Sequence, residues 1–137
     1  MKIFLDANIL VSVLNKEYPV FIYSSRILSL SHDSGFKVFT SPVCLAIAFY
    51  FAEKKHGTEF AKEKINVLCR NIGITEVRSA EIMKTVANKK IHDFEDGLEY
   101  YSALHSGCKV IITEDISDFY FSEIEVLRSE EFLLKYL

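Results

Sequence analysis

Val110-Ile111-Ile112 is the run that most restricts how this chain can fold. A strand with one wet face alternates apolar and polar residues. Three β-branched residues in succession, with no polar position among them, mark a strand buried on both faces, as in a parallel sheet covered by helices. Shorter runs of the same kind occur at Lys2 to Leu5, Lys37-Val38-Phe39-Thr40, Gly73 to Glu76 and Glu125-Val126-Leu127. Between them the pattern turns helical. Pro19 to Ser31 carries Val20, Ile22, Tyr23, Ile27, Leu28 and Leu30 near a helical period, and Ser41-Pro42 reads as an N-cap followed by proline at the first helical position, ahead of the apolar stretch Val43 to Ala52. Further helices are predicted from about Thr58 to Arg70, from a Ser79 cap to about Ala87, from Asp93 to a stop at Gly107, and after Ser129-Glu130-Glu131. Strands alternating with helices imply right-handed crossovers. The expected fold class is therefore α/β, a three-layer α/β/α sandwich on a central parallel sheet of about five strands.

The 137 residues suit one domain, read as continuous over 1–137, with no repeat and no Gly/Ser/Pro-rich linker. Half of the residues are hydrophobic, enough to bury a core and to exclude disorder over most of the length. Lys plus Arg number 16 against 19 acids, so the formal charge of −3 excludes a protein that coats nucleic acid through bulk charge. Cys44, Cys69 and Cys108 are odd in number and widely spaced, which excludes a zinc ribbon or a disulfide framework. All three read as small buried hydrophobes in a reducing compartment. Asp6 comes too early for a secretory apolar region, and the longest apolar run, Pro42 to Ala52, falls far short of the ~20 residues of a membrane span. A cytoplasmic protein without membrane contact is expected.

The placement of the acids says more than their count. Asp6 follows the first strand, Asp115 and Asp118 follow Val110 to Ile112, and Asp96 lies in the first turns of a helix. In alternating topology all of these fall on one edge of the sheet, outside the carboxyl ends of the strands. Asp93 also suits a helix N-cap, and Asp118 a turn. Asp6 is harder to assign to local structure, since a charge directly after a buried strand is costly without a partner. Converging carboxylates repel, and a hard divalent cation such as Mg²⁺ or Mn²⁺ relieves that repulsion.

Taken in order along the chain, these segments resemble the PIN domain, the Mg²⁺-dependent nuclease fold of bacterial and archaeal toxin ribonucleases. Ile3-Phe4-Leu5-Asp6-Ala7-Asn8-Ile9-Leu10 is similar to that family's first motif, a strand ending in Asp-x-Asn. Asp93-Phe94-Glu95-Asp96-Gly97-Leu98-Glu99-Tyr100-Tyr101-Ser102-Ala103-Leu104 resembles the third, with Asp96 at its metal-binding aspartate. Ile111-Ile112-Thr113-Glu114-Asp115-Ile116-Ser117-Asp118-Phe119 resembles the fourth, and Asp118-Phe119 matches its closing pair. The tail from Glu125 to Leu133 also looks like that of the VapC-like toxin subgroup. The second motif departs: where the family usually carries a glutamate in the helix after Ser41-Pro42, this chain has Ile47. Glu53, six residues on, lies about 9 Å further along the helix axis.

The resemblance implies a strand order of 3-2-1-4-5 and a metal-dependent endoribonuclease acting on RNA phosphodiester bonds. In that reading Asp6, Asp96 and Asp115 hold one or two Mg²⁺ or Mn²⁺ ions and Asp118 is a fourth or supporting carboxylate. Asn8, Asp93, Thr113 and Ser117 are supporting groups. The resemblance further implies a small antitoxin protein as partner. Lys54-Lys55-His56 and Lys84, Lys89, Lys90 and His92 form two basic clusters that could position RNA phosphates, although lysines at helix ends also serve the helix dipole. The helix from Val43 to Ala52 is apolar around most of its circumference, which predicts a homodimer or an antitoxin contact over Phe49, Tyr50 and Phe51. Ile47 leaves a second reading open, a non-catalytic module that binds RNA or protein. A receiver-like interaction domain fits less well, since Val126-Leu127 is followed by Arg128 where a receiver carries lysine, and Asp6-Ala7-Asn8 lacks the Asp-x-Asp of haloacid dehalogenases.

Overall fold

The computed structural model describes residues 1–137. Five strands, β1 (Lys2–Leu5), β2 (Lys37–Thr40), β3 (Gly73–Ile74), β4 (Val110–Ile112) and β5 (Glu125–Leu127), form one all-parallel sheet in the order β3-β2-β1-β4-β5. Seven helices flank it in an α/β/α arrangement: α1 (Ala7–Leu14), α2 (Val20–Ser29), α3 (Pro42–His56), α4 (Thr58–Asn71), α5 (Ser79–Ala87), α6 (Phe94–His105) and α7 (Ser129–Tyr136). Single 3-10 turns occupy Leu30–His32 and Ile116–Phe119. The expected fold class and strand order are the ones observed.

The central strands carry the core because they are apolar without interruption. Ile3, Phe4 and Leu5 of β1 and all of β4 are buried, with Phe4 opposite Ile111 and Leu5 opposite Ile112. The chain leaves β1 toward β2 and β3 on one side, then returns to β4 on the other. The sheet therefore reverses its winding between β1 and β4, and a crevice opens beyond the carboxyl ends of strands at such a point. Asp6 and Thr113 both follow strands there, and the Asp6 N–H donates to the Ile112 carbonyl at 3.0 Å.

Several local expectations need correction. The sequence pattern predicts no helix between the first strand and Pro19, yet α1 occupies Ala7–Leu14. The helix starts at once because the Asp6 side chain caps it, accepting from the Ala7 N–H at 2.7 Å, and because Ile9, Leu10 and Leu14 bury one face. β3 is two residues rather than the predicted span to Glu76. Ser79 and Ser129 are the first helical residues, not caps. Those ends are held by Glu81 and Glu131, whose carboxylates reach back to the N–H groups of Arg78 and Arg128. Cys69 is exposed on α4, against the expectation that all three cysteines are buried, while Cys44 and Cys108 are buried as expected. Ser41 does cap α3, accepting from the Cys44 N–H at 3.1 Å. Gly107, at φ 81°, ends α6 in the left-handed conformation that favours glycine.

Candidate active site

Asp6 is built into the structure on both carboxylate oxygens. Oδ1 accepts from the Ala7 N–H, and Oδ2 accepts from Thr113 Oγ1 at 2.8 Å. Asn8, two residues into α1, crosses the gap between β1 and β4. Its Nδ2 donates to Thr113 Oγ1 at 3.0 Å and, at 3.4 Å, toward both Asp6 Oδ2 and Asp115 Oδ2, while its Oδ1 accepts from the Glu114 N–H at 3.1 Å. Thr113 Oγ1 also accepts from the Asp115 N–H at 3.1 Å. Asn8 and Thr113 thus lock the two strand ends together and aim Asp6.

From the other side comes α6. Asp93 caps it, accepting from the Asp96 N–H at 3.1 Å, so it serves the helix end and borders the site at once. Gly97 follows Asp96, and a Cβ there would stand 2.3 Å from Thr85 Cγ2 of α5. That close approach fixes α6 against α5 and with it the direction of Asp96. The 3-10 turn after β4 carries Asp118. These elements enclose a cleft of about 420 Å³ whose acidic walls are Asp6, Glu17, Asp93, Glu95, Asp96, Glu99 and Asp118, with Asn8, Ile47 and Phe51 beside them. No lysine or arginine lines it.

The structure brings Asp6, Asp96, Asp118, Asn8 and Asp93 to this cleft. Thr113 is buried behind Asp6. Asp115 stands exposed outside the lining, tied to the cleft through Asn8, and Ser117 is exposed on the 3-10 turn. Ile47 lies on the cleft wall, half-buried. Four groups at the site are not expected from the sequence: Glu17, Glu95, Glu99 and Cys44. Glu99 is 2% exposed, and its Oε1 accepts from Cys44 Sγ of α3 at 2.8 Å. The donor atoms of Asp6, Cys44 and Glu99 all lie within 4.8 Å of one another. The spacing Asp96–Glu99 was the available clue, because residues three apart share a helix face.

The electrostatics follow from crowding. Burial, reinforced by the charges of Asp93, Asp6, Asp118 and Glu95, pushes the Asp96 carboxyl up to about 7. Burial, then hydrogen bonding and charge from Asp6, pushes Glu99 up to about 11. Asp118 is raised by burial and then by Asp115, Asp6 and Asp93. Burial, with the charges of Glu99 and Asp6, raises the Cys44 thiol well above its ordinary value, so it is no ready nucleophile. Carboxylates gathered from separate elements, with no cationic side chain among them, form a donor set suited to a hard divalent cation with oxygen ligands. Asp6, Asp96 and Asp118, with Glu99 behind them, line the cleft, and Asp115 stands at its edge beside Asn8.

Around the cleft, Lys54, Lys55 and His56 end α3, with Lys55 Nζ donating to the Asn15 carbonyl at 3.0 Å. Lys84 is exposed in the last turn of α5, and Lys89, Lys90 and His92 are exposed between α5 and α6, where His92 stacks on Tyr120. Tyr50 and Phe51 are 57% and 45% exposed on α3. No helix is long and apolar enough to cross a membrane.

The profile of the PIN domain family matches residues 2–117. Ribonuclease VapC1 of Aquifex aeolicus is 33% identical over 136 residues, covering 96% of this chain and 92% of that protein. Among solved structures, VapBC-1 of nontypeable Haemophilus influenzae superposes with a TM-score of 0.71 at 16% identity, over 95% of this chain and 99% of that one. Mycobacterium tuberculosis VapC20, described as a sarcin-ricin loop cleaving toxin, superposes with a TM-score of 0.67 at 16% identity, over 89% and 98%. Likeness at that identity concerns the fold.

Proposed function

The chain belongs to the PIN domain family, and from that premise we propose that it is a Mg²⁺- or Mn²⁺-dependent endoribonuclease, the toxin of a toxin–antitoxin pair. One observation carries the reading: Asp6, Asp96 and Asp118, supplied by three different elements, meet in a cleft without any lysine or arginine to neutralise them. A bound divalent ion would lower the pKa of a coordinated water and offset charge developing on the phosphate.

The chain's own residues do the rest. Asp6, Asp96 and Asp115 would hold the ion, with Asp118 as a fourth carboxylate at the same edge. Thr113 and Asn8 fix the Asp6 carboxylate by hydrogen bonds at 2.8 and 3.4 Å, so that it need not reorganise when substrate arrives. Asp93 lines the cleft, and Ser117 lies on the turn that carries Asp118. No side-chain nucleophile is required, which agrees with a thiol at Cys44 that stays protonated. The lysines of the two basic clusters draw RNA phosphates toward an otherwise acidic cleft, so that binding weakens as salt rises.

Partners follow from the same premise. VapC1 is named a ribonuclease, and the Haemophilus influenzae structure is of a VapBC assembly. We assign this chain an antitoxin protein as partner, a homodimer contact over Phe49, Tyr50 and Phe51, and a cytoplasmic location.

The test is cleavage of single-stranded and structured RNA in chelator, in Mg²⁺ and in Mn²⁺, by the wild type and by Asp6→Asn and Asp96→Asn. Metal-dependent cleavage that both variants lose supports the reading. Equal cleavage in chelator would sink it. Ile47 on the cleft wall favours one second reading, a module that binds RNA or protein without cutting it; an inert wild type that still binds RNA would establish that instead.

A further inference from the structure

We infer that Glu99 supplies, from α6, the carboxylate that Ile47 withholds from α3, and that it is a metal-holding residue of this site. The inference rests on reading the cleft as a divalent-metal centre.

Cys44, Ile47 and Phe51 stand at positions i, i+3 and i+7 of α3, and all three turn toward the cleft side of that helix. A carboxylate at position 47 would project into the cleft from that wall. Glu99 reaches the same wall from the opposite direction. It sits one turn beyond Asp96 on α6, and its Oε1 comes within 2.8 Å of Cys44 Sγ, one turn before Ile47 on α3. The carboxyl has crossed the gap between the two helices that flank Asp6. Its donor oxygen, the Cys44 sulfur and an Asp6 oxygen lie within 4.8 Å of one another, a separation that one ion can span. A carboxyl group stays at this place in the cleft while its origin has moved to another helix.

A structural role explains the residue poorly. A carboxyl only 2% exposed is costly to bury, and the side chains that hydrogen-bond it are the Cys44 thiol, which donates weakly, and Asp6, itself a carboxylate. No lysine or arginine lines the cleft to pair with it. Glutamine or leucine would fill the same space at lower cost. The other buried glutamate of this chain shows the contrast: Glu81 is held by the Arg78 guanidinium through two hydrogen bonds at 2.7 and 2.8 Å. A buried carboxyl facing an acidic cleft without such a partner has the chemistry of a ligand for a cation.

The experiment is Mn²⁺ titration calorimetry on the full chain, with thermal melts in chelator, for the wild type, Glu99→Gln, Ile47→Glu, the double variant and Asp96→Asn. Glu99→Gln keeps the shape of the side chain and an oxygen that accepts from Cys44. It is expected to weaken Mn²⁺ binding tenfold or more while melting in chelator at or above the wild-type temperature. Adding Ile47→Glu to Glu99→Gln should bring affinity back to within about threefold of the wild type, because a carboxylate then enters from α3. Wild-type Mn²⁺ affinity in Glu99→Gln, alongside a clear loss in Asp96→Asn, would overturn the inference and leave the metal centre standing. Unchanged affinity in both variants would overturn the metal centre itself. A double variant no better than Glu99→Gln would overturn the exchange between the two helices. Should Glu99→Gln melt well below the wild type, Glu99→Asp, which withdraws the carboxylate by one methylene, gives the same reading: weakened Mn²⁺ binding supports the role, and full binding refutes it.

Discussion

Asn8 and Thr113, 105 residues apart in the chain, share a hydrogen bond of 3.0 Å from Nδ2 to Oγ1, and through it the ends of β1 and β4 are fastened at the carboxyl edge of the sheet. The Thr113 hydroxyl donates to Asp6 Oδ2 and accepts from Asn8 and from the Asp115 N–H, so its hydrogen-bonding capacity is fully used. Thr113→Val keeps the shape and removes all three bonds. It is expected to cost about 1–3 kcal/mol, the penalty of leaving buried polar partners unpaired. Urea unfolding monitored by circular dichroism checks this, and a variant within 0.5 kcal/mol of the wild type, roughly the scatter of neutral surface changes, would contradict the network's role.

The contact of Gly97 with Thr85 makes α6 intolerant of a single added methyl. With Thr85 Cγ2 only 2.3 Å from the place of a Cβ and Thr85 itself buried, Gly97→Ala must push α5 and α6 apart. The expected loss is about 1–3 kcal/mol by overpacking, together with weaker Mn²⁺ binding because Asp96 and Glu99 ride on the displaced helix. Restored stability in Gly97→Ala/Thr85→Ser, which removes the clashing methyl, identifies the cause.

Without metal, the acidic cleft should make stability fall as pH rises. Asp96 titrates near 7 in the folded chain against an ordinary 3.8, so the folded state binds the proton more tightly than the unfolded one. The stabilisation from this group is complete below about pH 4 and is lost as pH climbs through about 7. Melting temperatures in chelator are therefore expected to drop between pH 5 and pH 8, with Asp96→Asn flattening the drop and melting above the wild type at pH 8. Saturating Mn²⁺ should reverse the trend. The Arg78–Glu81 pair acts elsewhere on the scale: Glu81, held down to about 2, lends stability above about pH 4.5 that fades only toward pH 2.

Thiol chemistry separates the three cysteines. Cys69 is exposed on α4, whereas Cys44 and Cys108 are buried, and burial pushes the Cys108 thiol up to about 12. One equivalent of an aromatic disulfide reagent is expected to react rapidly with the native chain at pH 8, and three in denaturant. Fast reaction of Cys69→Ser would show that a buried cysteine is reached by opening of the native fold.

The sequence alone determined the elements whose signal is local. Strands buried on both faces announce themselves as unbroken apolar runs, which is why β1 and β4 were legible. Ser41-Pro42 and Gly107 mark helix ends through side-chain or backbone chemistry that belongs to those residues. The family resemblance then gave the strand order, and Asp6, Asp96 and Asp118 were legible as site residues because strand ends and helix starts share one edge in alternating topology. The eight residues of α1 were not legible, since Ala7 to Leu14 is apolar nearly throughout and only the Asp6 cap and the packing against α3 decide for a helix. Glu99 was hidden for a related reason. A glutamate in mid-helix is by itself a solvated residue, and its spacing of three from Asp96 places it on the same helix face without burying it. It becomes a buried carboxyl because Gly97 lets α6 lie close on α5, turning Glu99 toward Cys44, 55 residues earlier in the chain. Local chemistry sets where elements begin and end; which side chains face one another is decided by the packing of elements distant in sequence, where burial energy and not propensity chooses the orientation.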